Sequence, residues 1–341
     1  MKELIIGGLK IEPGTETKIE LSVAKLYTGV DVSLPIKVFR SKKEGPTVFI
    51  SAAVHGDELN GIEIIRRLMS QKNFKIIRGT LIAVPMVNVY GVLNQSRYMP
   101  DRRDLNRSFP GSSKGSLAAR VANIFLKEIV HHCDYGIDLH TGAIHRSNLP
   151  QIRADLSDDK TKELALAFGV PVVLNSTIID GSLRESAVAS QTKVLLYEAG
   201  EALRFDEFSI RAGIKGITNV LQNLNMVKKA SSKKVTIPYI ANSSGWLRAS
   251  ASGFVKQKIT LGDQVVKGDV LAEIGSAYGE VADIVTASRS GILIGMQNIP
   301  LVQEGEAMFH IAYFSEDDDE IAEHIEIIQE QLLPEPGRLE E

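Results

Sequence analysis

Residues 47 to 58 read Thr47-Val48-Phe49-Ile50-Ser51-Ala52-Ala53-Val54-His55-Gly56-Asp57-Glu58. The apolar run up to Val54 predicts a buried strand, and the change to His-Gly-Asp-Glu predicts a loop at its end. A second apolar run ends far downstream in Asp138-Leu139-His140-Thr141. His55, Glu58 and His140 thus supply two imidazoles and one carboxylate at strand ends. Three protein ligands with a fourth position open is the donor set of a catalytic zinc, whereas a structural zinc is closed by four. The expectation is a metallohydrolase with one Zn2+ per chain. Asp138 is read as facing the opposite side of its strand from His140 and as orienting an imidazole by accepting its other N–H.

Outward from this stretch, residues 1–46 read as short strands and turns, with alternation over 18–26 and a second strand at 34–39. Apolar strands then alternate with helical patterns up to about residue 225. A helix over 61–71 sets Ile62, Ile65 and Leu68 on one face. A strand follows at 79–84, and a loop runs from 88 to 116. Helices over 117–132 and 159–168 and strands at 135–139, 170–174 and 194–197 complete the pattern. Continuous apolar strands separated by helices predict an α/β fold, a mixed and mostly parallel sheet with helices on both faces.

The texture changes after the basic run Lys228-Lys229-Ala230-Ser231-Ser232-Lys233-Lys234, which reads as a linker. Beyond it come short strands and glycine turns. Ala251-Ser252-Gly253-Phe254-Val255 and Ser288-Arg289-Ser290-Gly291-Ile292-Leu293 look like two copies of one half-motif. The pattern resembles the barrel-sandwich hybrid of biotinyl and lipoyl domains. Those carriers modify a lysine at a hairpin where this chain offers Met296-Gln297-Asn298, so no carrier role is expected. The expected division is 1–228 as a catalytic domain with an N-terminal β segment, 235–314 as a smaller all-β domain, and 315–341 as an acidic tail. Ile321, Ile325, Ile328 and Leu332 would share one helical face in that tail, read as either a packed terminal helix or a frayed tail, with a homo-oligomer interface as a further use of that face.

With 44% hydrophobic and 24% charged residues in 341, the composition is that of an ordinary folded chain. No apolar stretch approaches the roughly 20 residues that span a bilayer. The start lacks the apolar core of a secretory signal. Cys133, the single cysteine, excludes an intrachain disulfide and fits a reducing, cytoplasmic location. Beside His131 and His132 it reads as a buried helix-end thiol. The net charge of −3 conceals an asymmetry, because eleven acidic residues and one basic residue lie from Glu316 onward. The remainder holds 38 basic and 31 acidic residues, a net +7 suited to small anionic substrates. It has no dense basic stripe interleaved with aromatics, so nucleic acid is not an expected partner.

Open parallel sheets hold ligands beyond the carboxyl ends of their strands, which is where His55, Glu58 and His140 fall. Zinc hydrolysis of an amide also needs a base, positive charge for the oxyanion and a grip on the substrate. Glu198, closing the strand Val194-Leu195-Leu196-Tyr197, is the candidate base, and Glu201 is its competitor. The loop Ser96-Arg97-Tyr98-Met99-Pro100-Asp101-Arg102-Arg103-Asp104-Leu105-Asn106-Arg107 supplies cations. Arg102 and Arg103 read as solvated. Asn106 and Arg107, beside Asp104, are placed to grip a carboxylate, the guanidinium by two parallel hydrogen bonds and the amide by a third.

His55-Gly56-Asp57-Glu58, Arg97-Tyr98, Asp104-Leu105-Asn106-Arg107, Asp138-Leu139-His140-Thr141 and Glu198-Ala199-Gly200, in this order, resemble the succinylglutamate desuccinylase/aspartoacylase family of zinc deacylases, relatives of the zinc carboxypeptidases. The resemblance implies a zinc carboxypeptidase-like catalytic fold with His55, Glu58 and His140 as zinc ligands. It implies Glu198 as general base and then acid, and Arg97 as the group that polarises the scissile carbonyl. Asn106 and Arg107 would hold the substrate carboxylate, with Arg184, in Gly181-Ser182-Leu183-Arg184, as a further anion contact. The implied reaction is hydrolysis of a small anionic N-acyl amino acid. The rival readings are a zinc carboxypeptidase acting on peptides and a non-catalytic binding protein that kept the pocket.

Overall fold

The strand Thr47–Ala52 is almost wholly buried and runs between two parallel neighbours, Thr80–Val84 and Tyr135–Gly142. In this computed structural model, which describes residues 2–176, 179–228, 238–315, 321, 323 and 325–328, Tyr135–Gly142 pairs in parallel on its other side with Lys193–Glu201. These four strands form the middle of a mixed sheet of 13 strands among the described residues. Outside Thr80–Val84 the antiparallel pair Asp31–Arg40 and Thr15–Lys25 extends one edge.

Period-two alternation sends Val48, Ile50 and Ala52 to one face and Phe49 to the other. The first face is covered by the helices Asn60–Ser70, Asp159–Phe168 and Glu207–Asn223, which contribute Ile64, Leu68, Phe168, Ile217 and Leu221. The second is covered by Leu117–Glu128 and Leu183–Ala189, through Val121, Phe125 and Leu183. This is the expected mixed α/β sheet with helices on both sides. The helix expected over 117–132 ends at Glu128, and a separate turn, Val130–His132, carries the chain into the next strand. Cys133 is buried there, its Sγ 3.2 Å from the Ile129 carbonyl.

One element went unanticipated. Residues 146–154, where the sequence carries no strand signal, form the strand Arg146–Ala154, antiparallel to Lys193–Glu201. Its other edge forks: Arg146 to Asn148 pair with Gly291–Gln297, and Gln151 to Ala154 pair with Val172–Asn175. Through the first arm the sheet continues into Ala307–Tyr313 and Ser243–Arg248. A second, four-stranded antiparallel sheet, with Gly253–Gln257 and Val270–Gly275 at its centre, packs there over Leu271, Ile274, Leu293 and Phe309. The expected division near 228–235 falls within residues outside those described, as does most of the acidic tail. Ile321, Ile325 and Ile328 are buried against the main cores; Leu332 lies outside the described residues. No described helix is long and apolar enough to cross a membrane.

Gly61 sets how closely the helix after Glu58 approaches the sheet. A Cβ on it would stand 2.7 Å from the Ala52 Cβ and 2.8 Å from the Leu139 Cβ, two residues paired across adjacent strands. Gly61→Val should therefore push helix from sheet and cost about 1–3 kcal/mol of stability, measured by urea unfolding.

Candidate metal centre and active site

Ala53 leaves its strand with a left-handed φ of 51°, an uncommon conformation for a residue with a side chain, and the chain turns toward His55. Asn60, two residues after Glu58, is buried and doubly tied. Its Nδ2 donates to the Ala199 carbonyl at 3.2 Å, and its Oδ1 accepts from the Asp206 amide at 3.0 Å. The loop bearing His55 and Glu58 is thereby fastened to the strand bearing Glu198. Glu198 lies directly opposite His140 in the parallel register.

The three expected ligands converge, with one donor atom from each of His55, Glu58 and His140 all within 4.8 Å of one another. His55 Nδ1 is 2.7 Å from Glu58 Oε1, and His140 Nδ1 is 2.7 Å from Glu58 Oε2. Each ring turns its other nitrogen to a further carboxylate: His140 Nε2 is 2.8 Å from Asp138 Oδ2, and His55 Nε2 is 3.3 Å from Asp104 Oδ1. Two rings presenting Nδ1 to one point, each braced from behind by a carboxylate, is the donor chemistry a divalent metal requires. Asp138 does orient His140, but from the same face of the strand. Residues two apart share a face, so the expectation of opposite sides is corrected. The Ser51 hydroxyl donates to Asp138 Oδ1 at 2.7 Å and fixes that carboxylate in turn.

Burial opposes the charge on Glu58, but the two imidazoles outweigh it and hold its carboxyl well below the usual range. Burial also works against protonation of His140, while Asp138 and Glu58 more than compensate and raise its pKa. His55 is raised likewise, by Glu58 and Asp104 against burial. Asp104 was singled out in the sequence only as a neighbour of Asn106 and Arg107. It accepts from Arg97 Nε and Nη2 at 3.2 and 2.9 Å and from the Asn106 amide at 2.8 Å, while facing His55. One carboxylate thus sets an imidazole, a guanidinium and a turn.

His55, Glu58, Arg97, Asn106, Arg107, His140, Arg184 and Glu198 all line one cavity of 260 Å³; Asp138 stands behind His140. Arg97 directs Nη1 toward the cluster, 3.6 Å from Glu58 Oε1. Asn106 Oδ1 is taken by the Leu183 amide at 2.9 Å, leaving its NH2 as the donor for a ligand. Glu201 does not line the cavity. It accepts from the His145 amide and from Asn298 Nδ2, at 2.9 and 2.8 Å, and pairs with Arg204 at 3.2 Å. Of the three residues at the position where a carrier domain bears its lysine, Met296 and Gln297 close the strand Gly291–Gln297, and Asn298 ties that strand's end to the loop before Arg146.

Among the lining residues that escaped the sequence reading are Arg146, Asn148, Arg153 and Trp246. Asn148 Nδ2 donates to Glu198 Oε2 at 2.7 Å, and Arg153 Nη2 lies 3.2 Å from the same oxygen. Trp246 comes from the C-terminal region and lies flat on His310, with ring centroids 4.6 Å apart and planes 8° apart. His310 is buried, bonds Ser244 Oγ at 2.9 Å, and its pKa is lowered to about 3 by burial and by the charge of Arg153.

Fold and site together define a mixed α/β protein with a candidate metal centre at the carboxyl ends of its parallel strands. The catalytic-domain model of the succinylglutamate desuccinylase/aspartoacylase family matches residues 44–224, and the chain belongs to that family. Over 294 residues it is 28% identical to N-alpha-acetyl-L-2,4-diaminobutyric acid deacetylase of Halomonas elongata, covering 82% of this chain and 86% of that one. Its fold is similar to product-bound ectoine utilization protein EutE (DoeB) of Ruegeria pomeroyi, with TM-score 0.79, 23% identity, and 87% and 95% of the two chains covered. It is also similar to an aspartoacylase family protein of Mesorhizobium loti, with TM-score 0.76, 25% identity, and 90% and 96% covered.

Asp104→Asn and Asp138→Asn should each weaken divalent-metal affinity about 10–100-fold in competition with a chelator, with the circular dichroism spectrum unchanged. His310 generates a pH prediction. Between about pH 3 and 6.5 the unfolded chain takes up a proton that folded His310 refuses, so stability declines as pH falls through that window. The slope attributable to His310 approaches about 1.4 kcal/mol per pH unit. Urea unfolding at pH 6.5 and 4.5 should show a smaller loss for His310→Phe than for the unsubstituted protein.

Proposed function

We propose that this protein is a zinc-dependent deacylase that hydrolyses the amide bond of small N-acyl amino acids. The observation that carries the reading is the register of Glu198 with His140, which sets a carboxylate in the same cavity as the His55–Glu58–His140 donor set. Zinc held by those three residues would supply Lewis-acid chemistry, polarising the amide carbonyl and acidifying water.

The remaining work falls to side chains. Glu198 takes the proton of the attacking water and returns it to the departing amine. Asn148 and Arg153 hold the carboxylate of Glu198 in place through one oxygen, which leaves the other for that proton. Arg97, anchored by Asp104, offers N–H groups to the oxyanion from a pre-set position, so little reorganisation accompanies the reaction. Asn106 and Arg107 hold the substrate carboxylate and fix the amide in register, and Arg184, lining the same cavity, adds positive charge.

In this reading residues 1–228 hold the machinery, and residues 235–314 narrow its mouth through Trp246. The test is amine release from a panel of N-acyl amino acids by zinc-loaded protein. Glu198→Gln and Arg97→Gln should each lower kcat about 10²–10³-fold or more while zinc content is retained. Release that survives Glu198→Gln would remove the assigned base, and release only from peptide C-termini would favour the carboxypeptidase reading.

A further inference from the structure

We propose that the acyl chain of the substrate runs out of the metal cavity into an apolar groove beside it, and that the substrates are therefore amino acids acylated with a hydrocarbon chain longer than acetyl. The inference rests on the deacylase reading and names the acyl class of the same site.

The groove, of about 520 Å³, lies between the loop after His140 and the C-terminal strands. Ala143, Ile144, Phe254, Ile299, Leu301 and Val302 contribute apolar side chains to it. Three of these are large and about half exposed: Ile144 at 44%, Phe254 at 54% and Leu301 at 48%. Phe254 and Leu301 stand directly opposite each other across paired strands. Apolar side chains scattered singly over a surface need no explanation, but three that converge on one concavity mark a place where a ligand covers them. The walls are also pre-set. The Asn298 amide donates to the His145 carbonyl at 2.7 Å, and the His145 amide donates to Glu201 Oε1 at 2.9 Å, so the loop is tied on both sides. A groove already formed leaves only the ordering of the ligand's own chain to be offset.

Continuity with the metal cavity selects the occupant. Ala143 and Arg146 line both spaces. Ala143 is exposed at their common rim, and the Arg146 guanidinium lies over the Trp246 ring, 5.4 Å from its centroid. A substrate whose carboxylate is held by Asn106 and Arg107 has its acyl group on the far side of the scissile amide, and neither of those residues lines the groove. The end left to cross the rim is the acyl end. An extended peptide suits the groove less well, because its own N–H and C=O groups need partners there. The strand Gly253–Gln257 is paired on both sides, and the Leu301 carbonyl already accepts from Gln297 Nε2 at 2.8 Å. A hydrocarbon chain makes no such demand.

Zinc-loaded Glu198→Gln protein is titrated calorimetrically with N-acetyl-, N-butanoyl-, N-hexanoyl- and N-octanoylalanine, and with N-acetyl-2-aminooctanoate and N-acetyl-diglycyl-alanine for comparison. Kd should fall about two- to four-fold for each methylene that passes the rim, so that N-octanoylalanine binds about ten-fold or more tighter than N-acetylalanine. In the same background Phe254→Ser and Leu301→Asp, at half-exposed positions apart from the metal ligands, should each remove most of that gain and leave the Kd of N-acetylalanine within about two-fold. A Kd that does not change with acyl length, a gain that survives both substitutions, an equal gain from the aminooctanoate side chain or from the peptide, or no binding of any compound overturns the assignment. Length-dependent binding with no alanine released by zinc-loaded protein bearing Glu198 would support the groove and overturn the hydrolysis. Alanine release with no dependence on acyl length would keep the hydrolysis and overturn the groove.

Discussion

A carboxylate buried to 2% exposure, that of Glu58, lies between two imidazoles. Removing such a charge from water costs several kcal/mol unless cationic or hydrogen-bond-donating partners meet it. His55 and His140 are those partners, and they arrive from two adjacent parallel strands. Their positions are only as good as the register between Thr47–Ala52 and Tyr135–Gly142. That register is set by the apolar pattern of both faces, because a slip of one residue would reverse every side chain. The close seat of the helix at Gly61 and the clasp at Asn60 keep Glu58 from moving away. The site is thus a consequence of core packing, with Asp104 and Asp138 as the outer brace.

The C-terminal β region belongs to the site as well as to the fold. Gly291–Gln297 pairs with the strand that carries Arg146 and Asn148, and Asn298 joins Glu201 and the backbone around His145. These contacts deliver Trp246 to the cavity wall. A pocket assembled from both regions can be small and strongly charged, since neither has to enclose the ligand alone. Five arginines and two glutamates line it.

Much of this was legible in the sequence, for physical reasons. Continuous apolar strands broken by helical spacing reveal an α/β sheet, and residues at strand ends share one side of it, so His55, Glu58, His140 and Glu198 could be brought together unseen. The strand Arg146–Ala154 was hidden because Arg146, Ser147, Asn148, Gln151 and Arg153 give it the polarity of a loop, and several of those side chains line the cavity. Trp246 carries no local signal, because only the sheet's continuation into the C-terminal strands brings it to the wall. Asp104 stood out as a charge among arginines, but its approach to His55 depends on how the loop folds back. Asp138 was found for the right reason and put on the wrong face, an error that two-residue alternation alone could have prevented.

The central claim is that His55, Glu58 and His140 hold one zinc with a position left for substrate. X-ray absorption at the zinc edge tests it most directly. The account predicts one ion per chain in a shell of nitrogen and oxygen near 2.0–2.2 Å, about two of the scatterers being imidazoles and none sulfur. A sulfur scatterer near 2.3 Å, or a shell without imidazole, would contradict it.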